Sequence, residues 1–310
     1  MSTATSRGLR VGGSVILLAA VIMMLPAGEL GRALRQASPS VLAIAVAAFV
    51  LCHVAAAFKW RMLMGRSTDV SFAKAVRAHF TGLVGNLSPL GMIGGDLVRA
   101  GVAINGSTQS SAIMLTSVVD RMVDTAALMV LALAGFLWIG GRSTTAVAVL
   151  WGGFAVSVAG VGVLLAAHAL LKRTHNVRLA GMRDAFNVLM KHPALLARAL
   201  VLSVLIQGTL ITANAYIGAS VGVESSFAAW LLAWPVAKFA AYLPIGVAGI
   251  GVRETALVAL LGPFGGAAGP VLAAGLLWDA VLIVGSVGGW LILWVQRATP
   301  PTGLRRIQTP

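Results

Sequence analysis

Cysteine and charged residues are both scarce in this chain. The single cysteine, Cys52, lies in an apolar run, which excludes an internal disulfide and argues against a cysteine-based metal site. Charged residues make up 10% of the 310 residues, against about 25% in ordinary soluble domains. Together with a hydrophobic content of 58%, this composition indicates an integral membrane protein.

Recognisable catalytic and cofactor motifs are also lacking. The sequence contains no nucleophile elbow, no Walker loop and no dinucleotide-binding fingerprint, and its histidines show no metal-ligand spacing. We therefore predict no metal site, no cofactor and no catalytic residue. The formal net charge of +14 is spread between apolar segments, so the membrane surface is its expected partner and nucleic acid is not.

Long apolar stretches predict an all-α fold with six transmembrane helices. A helix needs about 20 apolar residues to cross a bilayer. The predicted spans are 11–26, 39–58, 112–139, 145–171, 193–218 and 267–295. We interpret the first as an uncleaved span and not as a signal peptide, because no small-residue cleavage site follows it.

Two further segments, 71–104 and 226–261, are apolar but interrupted by proline, glycine and charged residues. The first contains the stretch Asn-Leu-Ser-Pro-Leu-Gly-Met-Ile-Gly-Gly-Asp-Leu-Val-Arg at 86–99, and the second contains Tyr-Leu-Pro-Ile-Gly-Val-Ala-Gly-Ile-Gly-Val-Arg-Glu at 242–254. A simple membrane-crossing helix would not carry these residues. One constant shift of 155 positions maps Pro89 onto Pro244 and Asp124 onto Asp279.

The positions of lysine and arginine predict how these segments sit in the membrane. Basic clusters follow the second span, beginning at Lys59, and fill the connection between the fourth and fifth spans, so both should be cytoplasmic, as should both termini. The connection 218–225 contains no lysine or arginine, and its one charged residue is Glu224, so we predict that it lies outside. This arrangement requires each broken segment to enter and leave on one face. We therefore interpret both as re-entrant helical hairpins, the first entering from the cytoplasm and the second from the exterior.

The same shift predicts an inverted-topology internal repeat within one polytopic transmembrane domain at 1–298. Its half-repeats run from about 39 to 171 and from about 193 to 296. The linker 173–192 carries an apolar stripe at Leu179, Met182, Phe186 and Leu189, which favours an amphipathic helix on the cytoplasmic leaflet over a plain charged linker. The residues 299–310 are predicted to form a disordered tail. Inverted repeats that meet at broken helices are typical of secondary transporters.

Ionisable groups and glycines inside the apolar segments are the candidate substrate-binding residues. Charged groups at membrane depth cost at least a few kcal/mol each, and they usually face a cavity or one another. Free N–H groups that follow the glycine-rich tips, with arginines one turn further on, suit an anion such as phosphate. The candidates are Asn86, Gly91, Gly94, Gly95, Asp96, Arg99, Asp120, Arg121, Asp124, Gly246, Gly249, Gly251, Arg253, Glu254 and Asp279.

These candidates also have purely structural interpretations. Buried ion pairs would only lock the hairpins to the bundle, and the glycines would only permit close helix packing. Asp96 and Arg99 are spaced to pair on one helical face. Asp120 and Asp124 are likewise neighbours on a helix, so one of them should be protonated unless an arginine compensates its charge.

The combination of these residues resembles a known family. The pattern is Asn86-x-x-Pro89-x-x-x-x-x-Gly95-Asp96-x-x-Arg99, then Asp120-Arg121-x-x-Asp124, then Pro244-x-Gly246-x-x-Gly249-x-Gly251-x-Arg253-Glu254. It is similar to the lysylphosphatidylglycerol synthase transmembrane-region family, also called the flippase-like domain family, over about 41–295. The best-known members are bacterial multiple peptide resistance factors, whose membrane half is held to flip aminoacylated phosphatidylglycerol. The resemblance implies a bacterial inner-membrane protein that handles an anionic or polyprenyl-linked lipid head group.

Three functions are compatible with this resemblance. The first is a lipid flippase or lipid-handling transporter that moves an anionic phospholipid or polyprenyl-linked head group across the cytoplasmic membrane. The others are an intramembrane transferase acting on a lipid-linked substrate and a non-catalytic subunit of an envelope-lipid synthesis complex. Since only fifteen residues follow Val295, no aminoacyl transferase domain is expected. A membrane lipid is the expected partner, and a homodimer or an envelope-synthesis protein partner stays open.

Overall fold

The computed structural model describes residues 29–65, 68–87, 91–140, 177–241 and 251–291, with the single helical residues 147, 162 and 169. All regular elements in these ranges are helical, and they contain no strand. Outside them lie the predicted span 11–26, the predicted span 145–171 apart from the three single residues, the second tip at 242–250 and the predicted tail.

Ten α-helices run through the described part of the chain. In order they are α1 (Glu29–Gln36), α2 (Pro39–Met64), α3 (Phe72–Asn86), α4 (Gly91–Ile104), α5 (Ser110–Trp138), α6 (Val177–Lys191), α7 (Pro193–Ser220), α8 (Phe227–Ala240), α9 (Val252–Leu261) and α10 (Ala268–Gly285). A single 3-10 turn, Gly262–Phe264, follows α9.

Among these, α2, α5, α7 and α10 with its continuation to Leu291 are long and apolar enough to cross a membrane. Each overlaps one of the predicted spans. The 26 residues of α2 extend about 39 Å at 1.5 Å per residue, which exceeds the hydrocarbon core of about 30 Å. Large apolar side chains on their outer faces, such as Leu51, Val201 and Leu205, are more than half exposed, as expected for surfaces that lipid covers. The chain is therefore a multi-pass membrane protein.

The ends of α2 are set by proline and glycine. Pro39 occupies the first turn, where its missing N–H needs no partner, and Gly65 ends the helix at a φ of +54°. The helix thus runs beyond the predicted end at residue 58. Lys59, predicted to begin a cytoplasmic loop, instead lies inside α2 and is 0% exposed. The prediction was wrong because hydropathy counts Lys59 as a boundary, whereas the fold supplies buried partners for its charge.

Helices α3 and α4 form a closely packed antiparallel pair. A methyl group added to Gly82 would lie 2.9 Å from the carbonyl oxygen of Gly95 and 3.0 Å from Cβ of Arg99, and one added to Gly85 would lie 2.9 Å from Cα of Gly95. Because later residues of α3 face earlier residues of α4, the chain turns back on itself. Small residues allow this backbone contact, as they do between helices in membranes.

Helices α3 and α8 begin in the same way. Each follows a serine, Ser71 or Ser226, whose hydroxyl oxygen accepts a hydrogen bond from a backbone N–H three residues later, from Lys74 at 3.2 Å and from Ala229 at 3.3 Å. Such N-caps fix where a helix begins. The two caps are separated by the shift of 155 positions that relates Pro89 to Pro244. α8 then packs against α9, as α3 packs against α4.

The two long helices α2 and α7 pack against each other and run antiparallel. Cys52 of α2 lies beside Ile206 of α7, with 3.8 Å between the thiol sulfur and the carbonyl oxygen. Further along α2, Lys59 Nζ donates to Ser203 Oγ at 2.7 Å, at an earlier position of α7. α2 starts at Pro39 and α7 at Pro193, and the two helices point in opposite directions.

Each helix pair also packs against a long helix from the other half of the chain. A methyl group added to Gly135 of α5 would lie 2.7 Å from the carbonyl oxygen of Ala228 in α8. A methyl group added to Gly289, in the continuation of α10, would overlap the backbone of Phe80 in α3. These glycines bring helix backbones together and interlock the two halves of the chain.

Helix α6 packs its apolar side against the bundle. Phe186 and Leu189 are buried and share an apolar cluster with Leu115 of α5 and Ala199 of α7. The other two side chains of the predicted stripe lie outside the described part of the structure. At these two positions the stripe contacts protein, and the placement of the helix on the cytoplasmic leaflet stays a prediction.

Candidate functional site

A buried lysine joins the two carboxylates of α5. Lys59 Nζ lies 3.0 Å from Asp120 Oδ1 and also contacts Asp124. Ser203 Oγ donates to Asp124 at 2.8 Å, which links α7 to the same group. Asp120 and Asp124 thus share one lysine from another helix as a counter-charge, where we expected an arginine; Arg99 is a second counter-charge for Asp120.

Arg99 is held between α5 and α2. Its Nη1 donates to Asp120 Oδ2 at 2.9 Å, and its guanidinium carbon lies 4.5 Å from the centre of the Trp60 ring. The face of the Trp60 ring attracts the guanidinium cation, and this attraction adds to that of the ion pair with Asp120. The predicted partner, Asp96, is further away, at 3.8 Å. At 2% exposure, Arg99 is enclosed by these groups.

Asp96 pairs instead with Arg121. Arg121 Nε lies 2.9 and 2.8 Å from the two carboxylate oxygens, and a terminal nitrogen of the guanidinium group also contacts the carboxylate. Both side chains are between a quarter and a third exposed. This pair connects α4 to α5 at the edge of the cluster formed by Lys59, Arg99 and the α5 carboxylates.

A second cluster lies at the start of α9. Arg253 contacts Glu254 at 2.9 Å and also contacts Asp279 of α10. Glu254 is 0% exposed, and its other oxygen accepts the N–H of Gly251 at 2.6 Å. Gly251 has a φ of +87°, which glycine adopts without strain. The side chain of Glu254 therefore caps the N-terminus of its own helix and uses one of the N–H groups predicted to bind substrate.

Between the two helix pairs lies a cavity of about 110 Å³. Its lining comes from α2, α3, α7, α8, α9 and α10, and its polar members include His53, Asn86, Lys238, Arg253 and Ser286. We call it the central pocket. Arg253 and Asn86 were predicted as substrate-binding residues, and both line it. Arg99 does not belong to the lining, so the two predicted phosphate-binding arginines have different surroundings.

The remaining predicted site residues are glycines of the two tips. A methyl group on Gly95 would overlap Asn86 Oδ1, so Gly95 admits the Asn86 side chain. Gly94 is buried beside Gly85 in the contact between α3 and α4. Gly91 begins α4. The other two tip glycines, Gly246 and Gly249, lie outside the described residues.

Several polar residues of the core lie outside the motifs from which the site was predicted. Besides Lys59, they include Lys238, which donates to Gln207 Oε1 at 2.9 Å, and the pair His53 and His79, whose ring nitrogens approach to 2.9 Å. The only available signal was the presence of polar residues in apolar helices, which identifies them as candidates but not as partners. In the ranges that the structure describes, no group of three or more acidic, histidine or cysteine residues has the arrangement of a metal site.

The match to a known family covers both clusters and the central pocket. A family model, the lysylphosphatidylglycerol synthase TM region, matches residues 9–289. No curated protein and no solved structure is significantly similar to the chain. A helical, multi-pass membrane protein of this kind fits a lipid-related function in the membrane. Since the match spans most of its length, the chain belongs to the family of the lysylphosphatidylglycerol synthase transmembrane region.

Proposed function

We propose that the protein is a lipid flippase or lipid-handling transporter that moves an anionic phospholipid or polyprenyl-linked head group across the bacterial cytoplasmic membrane. The observation that carries the proposal is the central pocket, which is lined by both helix pairs and contains cationic side chains. A mostly apolar cavity that carries a few cationic and polar side chains at membrane depth suits a charged head group whose acyl chains stay in lipid. Family membership supports the lipid.

The proposal includes an inverted repeat. It is supported by the matching order of elements, in which a long helix and a serine-capped helix pair recur, and by the antiparallel crossing of α2 and α7. A repeat with parallel halves would give these two helices the same direction. Inverted halves that meet at a central site allow alternating access by rocking of one half against the other.

The proposal also treats both helix pairs as re-entrant hairpins. With 15 and 14 residues, α3 and α4 would reach about 22 and 21 Å at 1.5 Å per residue, less than the hydrocarbon core of about 30 Å. Their antiparallel packing supports a chain that returns to the face it entered. α8 and α9 have 14 and 10 residues, so they are shorter still and support the same interpretation.

Within this mechanism the two clusters have different roles. The Lys59 cluster, enclosed by α2, α4, α5 and α7, anchors the first hairpin to the long helices. Arg253 lines the central pocket and contacts the head group, and Glu254 and Asp279 hold its guanidinium in place. Asn86 faces the same pocket from the first hairpin, so both halves contribute to the binding site.

Reconstitution tests the proposal. Purified protein in proteoliposomes that carry a fluorescent phosphatidylglycerol in both leaflets should make the inner-leaflet probe accessible to an external quencher faster than empty liposomes do. Arg253→Lys should slow this at least several-fold, because lysine keeps the charge but loses the planar fork that contacts two carboxylates. Arg183→Lys, at a partly exposed arginine paired with its neighbour Asp184, is the matched control.

Mass spectrometry of the same lipids distinguishes the alternatives. Unchanged lipid mass with faster movement supports a flippase, whereas a covalently altered lipid would indicate the transferase. Movement no faster than in empty liposomes, with correctly folded protein, would contradict the proposed function.

A further inference from the structure

Lys238 differs from the other lysine and arginine side chains inside the described helix bundle. Lys59, Arg99, Arg121 and Arg253 each contact at least one carboxylate within 4.0 Å. Lys238 lines the central pocket, and its recorded partner is the neutral Gln207 Oε1 at 2.9 Å. In the described part of the chain it forms no salt bridge. A partly buried cation that contacts no carboxylate is costly at membrane depth, and it gains stability when an anion binds beside it.

The protein's own carboxylates are already engaged or distant. Asp96, Asp120, Asp124, Glu254 and Asp279 each contact another cation. Of the other four acidic residues in the sequence, Asp69, Asp184 and Glu224 are exposed, and the side chain of Glu29 lies outside the described part of the structure. Lys238 therefore contacts none of these carboxylates within 4.0 Å, and Asp124 attracts it only over a longer distance. An anion in the pocket would supply the contact that is missing.

A second unpartnered donor lies one turn before Lys238. Trp234 also lines the central pocket, is 3% exposed, and has no hydrogen-bond partner for its Nε1 among the described residues. Buried indole N–H groups usually donate to an acceptor. On the opposite side, Asn86 lines the pocket with an unpartnered Oδ1, and its amide group has N–H donors to offer. The Trp234 N–H thus borders the cavity without an acceptor among the described residues, beside the Lys238 ammonium group and the Asn86 amide.

We infer that Lys238 is the principal anion-binding residue of the central pocket, and that its ammonium group and the Trp234 indole N–H bind a phosphate oxygen, with Asn86 on the opposite side. The inference rests on the proposed function and deepens it. Lys238 takes the role that the sequence motif suggested for Arg99, which is paired with Asp120 and stacked on Trp60. Arg253 lines the same pocket, but its guanidinium group is already ion-paired with Glu254 and Asp279.

Equilibrium binding to the purified full-length protein tests this inference with two probes, short-chain phosphatidylglycerol and inorganic phosphate. Lys238→Gln should weaken binding at least about ten-fold, as expected for loss of a hydrogen bond to a charged group. Lys238→Arg should stay within a few-fold of the parent. Lys74→Gln is the control, because the Lys74 ammonium group donates to the carbonyl of Asn105 and does not line the pocket.

Two further variants keep Lys238 in place, so they test the inference even if Lys238→Gln does not fold. Gln207→Glu offers Lys238 an internal carboxylate, and Trp234→Phe removes the indole N–H but keeps an aromatic ring; both should weaken binding. If Lys238→Gln, Gln207→Glu and Trp234→Phe all bind like the parent, the role of Lys238 is refuted while the proposed function stands. If the parent binds neither probe, both the inference and the proposed function fail. Tighter binding of phosphatidylglycerol than of phosphate assigns the site to a lipid, and equal binding assigns it to the phosphate group alone.

Discussion

Lys59 is enclosed in α2, where its ammonium group meets Asp120 and contacts Asp124. These carboxylates lie one helical turn apart, so in the absence of a cation they would repel each other in a medium of low dielectric constant. Arg99 compensates only Asp120. The charge balance of α5 at this depth therefore depends on a residue whose own helix is mostly apolar.

Removing this lysine is expected to destabilise the protein strongly. Lys59→Met keeps the length of the side chain and deletes its charge, which should lower the free energy of unfolding by about 3–5 kcal/mol because buried carboxylates lose their partner. Reversible unfolding in mixed detergent micelles measures this. Lys74→Met, in which the lost contact is to a backbone carbonyl, should change it by less than about 0.5 kcal/mol. Equal stability of the two variants would contradict the assigned role of Lys59.

At this scale the sequence identified the buried carboxylates but not their partners. Spacing along one helix predicts neighbours three or four residues apart, and the pair of Asp96 and Arg99 met that rule but lies 3.8 Å apart. The closer contacts join different helices, as Lys59 and Asp124 do across 65 positions of sequence. Such pairs depend on how helices pack, which local spacing does not contain.

At the scale of elements, α3 and α4 depend on glycine for their contact. The backbones approach so closely at Gly82, Gly85 and Gly95 that a single methyl group on any of them would clash. At Gly95 the clash is with Asn86 Oδ1, a residue of the central pocket. Packing of this pair and the shape of the pocket are therefore coupled.

Two alanine substitutions in α4 separate packing from helix propensity. Gly95→Ala should lower the thermal midpoint in detergent and weaken lipid binding, because the new methyl group displaces Asn86. Gly101→Ala, in the same helix with nothing within 4 Å of the added methyl group, should leave the midpoint unchanged or raise it, since alanine favours a helix by about 1 kcal/mol over glycine. If both variants respond alike, the close contact at Gly95 does not stabilise the pair.

The order of elements was largely predictable from sequence, because length and hydropathy define long spans and proline and glycine define breaks. Four predicted spans coincide with helices, and the break after Asn86 separates α3 from α4. The end of α2 was not predictable, since the apolar window closes at Lys59 while the helix continues to Met64. Only the tertiary partners of Lys59 explain why that extension is stable.

At the scale of the whole molecule, two halves interlock around the central pocket. α2 and α7 cross antiparallel, and each serine-capped helix pair packs against a long helix of the other half. Because each half supports the helix pair of the other, movement of one half would change the surroundings of the pocket on both sides. This coupling is what an alternating-access transporter requires.

The central claim is that the two proposed hairpins enter the membrane from opposite faces. Asp69 and Glu224 are suitable positions at which to test it. They are separated by the same 155 positions as the two capping serines, each lies just before its hairpin, and both are exposed. Cys52 is the only cysteine of the chain and is buried, so Cys52→Ser provides a background without thiols. In that background, Asp69→Cys and Glu224→Cys each place one thiol at the entrance of one hairpin.

Labelling these two variants in intact cells with a membrane-impermeant maleimide measures the hairpin directions most directly. The cysteine at position 224 should react from outside, and the cysteine at position 69 should react only after the membrane is permeabilised. Reaction of both thiols from the same side would contradict opposed hairpins, and with them the transport mechanism proposed for the central pocket.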